Sequence, residues 1–80
     1  MSNEDKLDTF ADLCERMDIE YYLVRDHADW FEMELVGYFS DYKDIEWMVE
    51  ESGLTLESFY LVSEGSDSYK TGEARIVLAY

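Results

Sequence analysis

Two residues with the chemistry of a nucleophilic site occur once each in the chain, Cys14 and His27. A Cys–His nucleophile requires the two side chains to lie within hydrogen-bonding reach of each other. Cys14 falls on the predicted apolar face of a helix, whereas His27 falls in a predicted turn. Because buried cysteines behave mostly as small, inert apolar residues, the sequence predicts no nucleophilic site.

Carboxylates are abundant, with twenty acidic residues among 80. Some pair of them will meet the spacing of a glycosidase by chance, so a pair alone does not indicate hydrolysis. An acid catalyst also needs a carboxyl group in an apolar pocket, and a chain of this length encloses little space for one. We therefore expect that the protein is not an enzyme.

Oxygen ligands of this kind suit calcium or magnesium, and the run from Glu64 to Glu73 is the segment to test for them. Counted from Asp67, the third and fifth positions of an EF-hand loop are Tyr69 and Thr71. The run does not match the EF-hand pattern. The sequence therefore predicts no dedicated metal site and no cofactor.

The first element that would position side chains is a helix running from about Ser2 to Asp18. Ser2 offers an N-cap oxygen, and acids in the first turn suit the positive end of the helix dipole. An apolar face is formed by residues at helical spacing, namely Leu7, Phe10, Ala11, Cys14 and Met17. The flank of this helix carries four acids about one turn apart, here called the acidic stripe: Glu4, Asp8, Asp12 and Glu15.

A β-hairpin is predicted next, with strands at residues 19–25 and 30–38 and a turn at 26–29. In the returning strand one set of alternating residues suits a buried face: Phe31, Met33 and Leu35. The other set mixes acids with large side chains: Trp30, Glu32, Glu34, Val36 and Tyr38.

A second helix begins at Ser40 or Asp41 as the cap and ends before Gly53, which suits a left-handed C-terminal position. Its predicted inward residues are Tyr42, Ile45, Met48, Val49 and Ser52. Trp47 points almost opposite this face, among Lys43, Glu46, Glu50 and Glu51. A tryptophan on the polar side of a helix indicates a contact with something else.

The chain closes with predicted strands at residues 57–63 and 73–80, joined by a loop at 64–72. Tyr21-Tyr22-Leu23-Val24 recurs as Phe59-Tyr60-Leu61-Val62, which suggests an internal duplication with a spacing of 38. That duplication fits the second strands poorly, because aligning Tyr38 with Tyr80 sets Glu34 against Ile76. We predict a single α+β domain over residues 1–80, in the order α-β-β-α-β-β. Its four-stranded antiparallel sheet carries both helices on one face.

The net charge of −14 and the sequence pI near 4.1 are the strongest functional signal. They disfavour direct binding to nucleic acid or an anionic membrane and favour a basic partner. The first residues lack the pattern of a signal peptide, and a single cysteine forms no internal disulfide. We expect a soluble protein of the cytoplasm, in a bacterial host cell. Ordinary solubility and adaptation to high salt are alternative explanations of the charge.

In size, acidity, aromatic content and lack of a catalytic signature, the chain resembles small phage-encoded inhibitors of bacterial defence, including anti-CRISPR and anti-restriction DNA mimics. The resemblance is one of physical type and rests on no alignable motif. It implies an inhibitor that binds the basic nucleic-acid site of a defence nuclease or CRISPR surveillance complex. The residues expected to contact that partner are Glu4, Asp8, Asp12, Glu15, Trp30, Glu32, Glu34, Trp47, Glu50 and Glu51.

Other functions fit the same sequence. One alternative is an immunity or antitoxin protein that neutralises a basic toxin nuclease. Another is an acidic chaperone or adaptor that acts as a homodimer. The exposed aromatic residues, Tyr22 and Tyr60 among them, serve either as anchors for a partner or in sheet packing and a homodimer contact.

Overall fold

The computed structural model of the protein describes residues 2–39, 42–64 and 71–80. Its six elements follow the predicted order α-β-β-α-β-β. They are α1 (Asn3–Arg16), β1 (Glu20–Asp26), β2 (Trp30–Gly37), α2 (Lys43–Glu51), β3 (Thr55–Ser63) and β4 (Gly72–Ala79). The predicted fold class is confirmed.

The four strands form one antiparallel sheet in the order β1-β2-β4-β3. The central pair is β2 and β4, with Met33 opposite Ile76 and Glu34 opposite Arg75. Each half of the chain therefore contributes one edge strand and one central strand. This arrangement relates the two helix-strand-strand units by an approximate two-fold axis through the middle of the sheet.

The core lies between the two helices and one face of the sheet. The predicted alternation of β2 is confirmed, because Phe31, Met33 and Leu35 are buried. The other fully buried large side chains come from both helices and from β4: Phe10, Cys14, Ile45, Met48, Ile76 and Leu78. Burial of each large apolar side chain contributes about 1.5–3 kcal/mol, so this single layer accounts for much of the folding free energy.

The start of α1 is as predicted, because Ser2 Oγ accepts a hydrogen bond from the Asp5 N–H at 3.2 Å. Its end is not where periodicity placed it. The helix stops at Arg16, and Asp18 takes a left-handed conformation with φ of 56°. Met17, expected on the apolar core face, therefore turns away from the core and is 48% exposed.

Both helices end in the same hydrogen-bond pattern, the Schellman motif. In α1 the Asp18 N–H donates to the Glu15 carbonyl at 3.2 Å, and the Ile19 N–H donates to the Cys14 carbonyl at 2.8 Å. In α2 the corresponding donors are Gly53 and Leu54, at 3.0 and 3.1 Å. The prediction that Gly53 terminates α2 is confirmed by its φ of 72°.

The start of α2 differs from the prediction. Its N-cap is Tyr42, whose side chain makes no capping hydrogen bond. Tyr42 was expected to point inward but is 40% exposed, and its ring meets the edge of Phe59 at a centroid distance of 6.2 Å. The predicted caps Ser40 and Asp41 lie outside the described residues, as do residues 65–70 of the predicted loop.

The 38-residue spacing reappears in the edge strands as a shared irregularity. Leu23 lies opposite Met33 and Arg25 opposite Glu32, so Val24 is the extra residue of a β-bulge. In the same way Val62 is the extra residue between two positions of β3 that face consecutive residues of β4. The repeated Tyr-Leu-Val thus marks equivalent positions in two edge strands.

The repeat does not hold one spacing throughout. Tyr22 lies opposite Glu34 and Tyr60 lies opposite Arg75, so the central strands correspond at a spacing of 41. The alignment of Glu34 with Ile76 was therefore wrong, and Glu34 corresponds to Arg75. The helix ends, at Asp18 and Gly53, are only 35 residues apart. The three spacings differ because the segments between equivalent elements have different lengths in the two halves.

Candidate partner-binding surfaces

The acidic stripe lies on α1 with all four of its carboxylates exposed. Asp12 forms an ion pair with Arg16 at 3.1 Å, one turn along the helix. Glu15 accepts a hydrogen bond from the Tyr21 hydroxyl at 3.1 Å, which raises the pKa of Tyr21 above its usual value. Glu4 and Asp8 form no ion pair within the described residues. Within the described residues only Asp12 of the four is therefore paired with a basic side chain.

The stripe belongs to a more extensive acidic surface formed by the two helices. Together α1 and α2 carry nine acidic residues and three basic ones, the latter being Lys6, Arg16 and Lys43. Glu50 and Glu51, predicted to contact a partner, are both exposed on α2. The helix layer consequently carries a strong excess of negative charge on the side of the molecule away from the sheet.

Trp47 lies on α2 with 42% of its surface exposed, as the periodicity of the helix predicts. It lines a surface pocket that also contains Met17 and Tyr38, which are 48% and 53% exposed. Ile19 and Phe39 line the same pocket and are buried. These exposed side chains, Met17, Tyr38 and Trp47, form an apolar surface here called the Trp47 patch.

No helix of the described residues lies over the second face of the sheet, here called the open sheet face. A row of four residues crosses its centre, one from each strand: Tyr22, Glu34, Arg75 and Tyr60. Tyr22 and Tyr60 are 54% and 68% exposed. The row has an aromatic ring at each end and a pair of opposite charges in the middle.

Arg75 pairs with two acids of this face and offsets one of their two negative charges. Its guanidinium is hydrogen-bonded to Glu34, and its Nε lies 3.4 Å from a carboxylate oxygen of Glu32. The bond to Glu34 is the main reason that the pKa of Arg75 is raised. Glu32 and Glu34, predicted to bind a basic partner, are therefore already engaged within the chain.

Trp30 lies on the open sheet face and is half-buried. Its ring stacks on His27, with centroids 4.1 Å apart and planes inclined by 22°. The His27 N–H also donates to the Trp30 carbonyl at 2.8 Å, which closes the turn between β1 and β2. Trp30 is thus held by its own hairpin and lines a shallow depression together with Val77 and Ala79.

The structure separates the predicted contact residues into two groups. The acidic stripe, Trp47, Glu50 and Glu51 belong to the helix layer. Trp30, Glu32 and Glu34 belong to the opposite side of the sheet. Arg75 was not among the predicted residues, although the alternation of Ala74, Ile76 and Leu78 with outward residues places it on the open sheet face.

Cys14 and His27, the two residues considered for nucleophilic chemistry, lie in different environments. Cys14 is buried, as predicted, and this burial raises the pKa of its thiol to about 12. His27 is exposed in the β1–β2 turn. Among residues 2–39, 42–64 and 71–80, no three His, Cys, Asp or Glu side chains are grouped to hold a metal ion. None of the helices in this part of the chain is long and apolar enough to cross a membrane.

The fold and its surfaces define a small two-layer α+β protein with an acidic helix layer and an open sheet face. Comparison of the chain with protein-family models, with curated proteins and with solved structures finds no match.

Proposed function

We propose that the protein is an inhibitor that binds the basic nucleic-acid site of another protein, with carboxylates in the positions of phosphates. The observation that carries the proposal is the acidic stripe. It presents four exposed carboxylates along one helix, and Glu4 and Asp8 have no ion-pair partner in the described chain. Carboxylates without an ion-pair partner among the described residues are free to meet lysine and arginine side chains of another protein.

The spacing of the stripe supports the comparison with a nucleic-acid strand. Glu4, Asp8 and Asp12 follow one another at about 6 Å along the helix axis. Every second phosphate of one DNA strand advances by roughly 6.8 Å along the duplex axis. Basic side chains arranged along a phosphate strand therefore meet carboxylates of α1 at similar intervals, and opposite charges accelerate the encounter.

The Trp47 patch offers an apolar contact, which charged side chains do not provide. Interfaces gain most of their affinity from a few desolvated anchors, and tryptophan and tyrosine are the commonest of these. Trp47 has Glu46, Glu50 and Glu51 close to it in the sequence of α2. Lys43 and Asp44 line the pocket of Trp47 as well, so the anchor borders charges of both signs with acids in excess. Such an anchor suits a basic site that also contains an apolar contact.

The class of target follows from the physical resemblance to phage-encoded inhibitors. We propose a bacterial defence nuclease or a CRISPR surveillance complex as the partner. An immunity or antitoxin protein against a basic toxin nuclease would use the same acidic surface, and only the partner would differ.

The test is a comparison of two variants with equal charge. The first neutralises the stripe with Glu4→Gln, Asp8→Asn, Asp12→Asn and Glu15→Gln. The control removes four exposed acids elsewhere with Glu20→Gln, Asp29→Asn, Glu57→Gln and Glu64→Gln. Affinity chromatography from lysates of bacteria that carry defence systems identifies the partner, and biolayer interferometry then measures its binding to each variant.

We expect the stripe variant to bind at least about tenfold more weakly than the control variant. Duplex DNA should compete with the wild-type protein, and binding should weaken as salt increases. Equal losses in both variants would show that net charge alone acts and would contradict the proposal. Binding that ignores both DNA and salt would contradict it as well and would favour a chaperone or adaptor.

A further inference from the structure

The open sheet face combines apolar and charged groups in a way that the acidic helix layer does not. Two exposed tyrosines, Tyr22 and Tyr60, flank its central ion pair. Half-buried apolar residues fill positions above and below that row: Trp30, Val36, Val77 and Ala79. No described element covers them. An interface of this composition, with aromatic residues around a compensated charge pair, is typical of protein–protein contacts.

We propose that the open sheet face binds the same face of a second copy of the protein, giving a two-fold symmetric dimer. The proposal is independent of the proposed function, because it uses the surface opposite to the acidic stripe. Its geometry is a two-fold axis parallel to the strands, midway between β2 and β4. Two sheets that pack face to face in this way keep their strands within about 30° of each other.

Charge complementarity selects this axis. It sets Glu34 of one copy opposite Arg75 of the other, and the reverse contact follows by symmetry. Tyr22 of one copy meets Tyr60 of the other, at the two ends of the same row. A two-fold axis across the strands would instead set Glu34 against Glu34 and Arg75 against Arg75, which is repulsive.

The same axis separates the other acids of the face. With this axis, each residue of β2 faces a residue of β4 in the second copy. The facing residue is the one that pairs with it across the strands within a single copy. Glu32 then meets Val77, and Glu73 meets Val36. Trp30 meets the small side chain of Ala79. No carboxylate of β2 or β4 lies opposite another carboxylate, so the two central strands are complementary to those of the second copy.

The size of the face indicates a small interface. Four strands spaced about 4.8 Å apart and about eight residues long cover roughly 19 by 26 Å. Two such faces bury on the order of 1,000 Å², at the lower end of specific interfaces. We therefore infer a reversible dimer whose population depends on concentration.

The edge strands are less suited to self-association than the face. Both β1 and β3 are interrupted by a bulge, at Val24 and Val62. Bulges twist an edge and break the ladder of free backbone groups that another strand would pair with. Edge-to-edge addition is therefore disfavoured, which leaves the open face as the surface for a second copy.

The dimer test uses charge complementation, followed by sedimentation velocity over a wide range of protein concentration. Glu34→Arg sets two arginines opposite each other in the dimer, and Arg75→Glu sets two glutamates opposite each other. Each variant alone should dimerise at least tenfold more weakly than wild type. An equimolar mixture of the two should form a heterodimer, because each arginine then meets a glutamate.

Three further measurements guard against misfolding and misassignment. The double variant Glu34→Arg/Arg75→Glu exchanges the two charges, so each arginine still faces a glutamate of the other copy. It should dimerise like wild type. Tyr60→Ser should weaken the dimer, whereas Tyr38→Ser, a change of another exposed tyrosine in the Trp47 patch, should not. Circular dichroism checks that each variant is folded.

Salt separates this proposal from the proposed function. Each chain has a net charge of −14, so screening should strengthen the dimer while it weakens binding to a basic partner. A wild-type protein that stays monomeric at high concentration and high salt would overturn the proposal. So would a dimer that Arg75→Glu and Tyr60→Ser leave unchanged.

Discussion

Asp18 and Gly53 occupy the same position in two copies of one helix-ending motif, with φ of 56° and 72°. Only glycine adopts this left-handed conformation without strain, although aspartate tolerates it better than most residues. The two ends should therefore respond in opposite ways to substitution.

Gly53→Ala should lower the free energy of unfolding by about 1–2 kcal/mol, because alanine is strained in the left-handed conformation. Space is not the obstacle, since an added Cβ would meet only Lys6 Cε at 3.7 Å. Urea unfolding followed by circular dichroism measures the change. An unchanged midpoint would show that the α2 end does not depend on glycine.

Asp18→Gly is the matched change at the end of α1. It should leave stability unchanged or raise it by up to about 1 kcal/mol, since relief of strain outweighs the greater freedom of the unfolded chain. It also removes a negative charge from the negative end of the helix dipole. A clear loss of stability in the same urea experiment would contradict this account of the motif.

Gly37 is a second glycine that should resist substitution, here because a side chain lacks space. A Cβ added there would lie 2.8 Å from Ile19 Cγ1 and 3.1 Å from Ile19 Cα. Gly37→Ala should therefore destabilise the protein by about 1–3 kcal/mol through overpacking. A double-mutant cycle with Ile19→Ala tests the cause: the double variant should lose less stability than the sum of the single changes.

Stability should fall in alkaline solution because of Cys14. Burial raises the pKa of its thiol from 9.0 to about 12, so the folded state retains a proton that the unfolded state releases. The contribution of the protonated Cys14 thiol to stability is complete below pH 9 and is lost as the pH rises towards 12. Within that window the free energy of unfolding should decrease by up to about 1.4 kcal/mol per pH unit from this group.

The control for this pH dependence is Cys14→Ala, which should remove that part of the slope. Tyr80→Phe should remove a separate part of the decrease in unfolding free energy, the part above pH 10. The reason is that burial and a hydrogen bond to Asp26 raise the pKa of Tyr80 to about 12. Ellman's reagent at pH 8 provides an independent check. Rapid reaction of Cys14 in the native protein would contradict its burial.

The net charge of −14 should make the protein more stable in salt. Between about 10 mM and about 1 M sodium chloride the Debye length falls from roughly 30 Å to 3 Å, which screens the repulsion among the carboxylates. We expect Tm to rise by several degrees over this range, by calorimetry. The variant with a neutral acidic stripe should show a smaller rise, and a Tm independent of salt would contradict the electrostatic explanation.

The amino-acid sequence by itself determined the elements and their layers. Hydrophobic spacing of 3.6 residues in α1 and of two residues in β2 assigned Phe10 and Met33 to one core, and Gly53 marked the end of α2. These features depend on a few neighbouring residues, so they can be predicted locally. The acids of the stripe are exposed for the same reason.

Only the tertiary structure decided what surrounds each acid. Glu34 and Arg75 are far apart in the sequence, and strand order brings them together as a neutral pair on the open sheet face. Pairing between distant strands depends on the packing of the whole chain, and no local pattern specifies it.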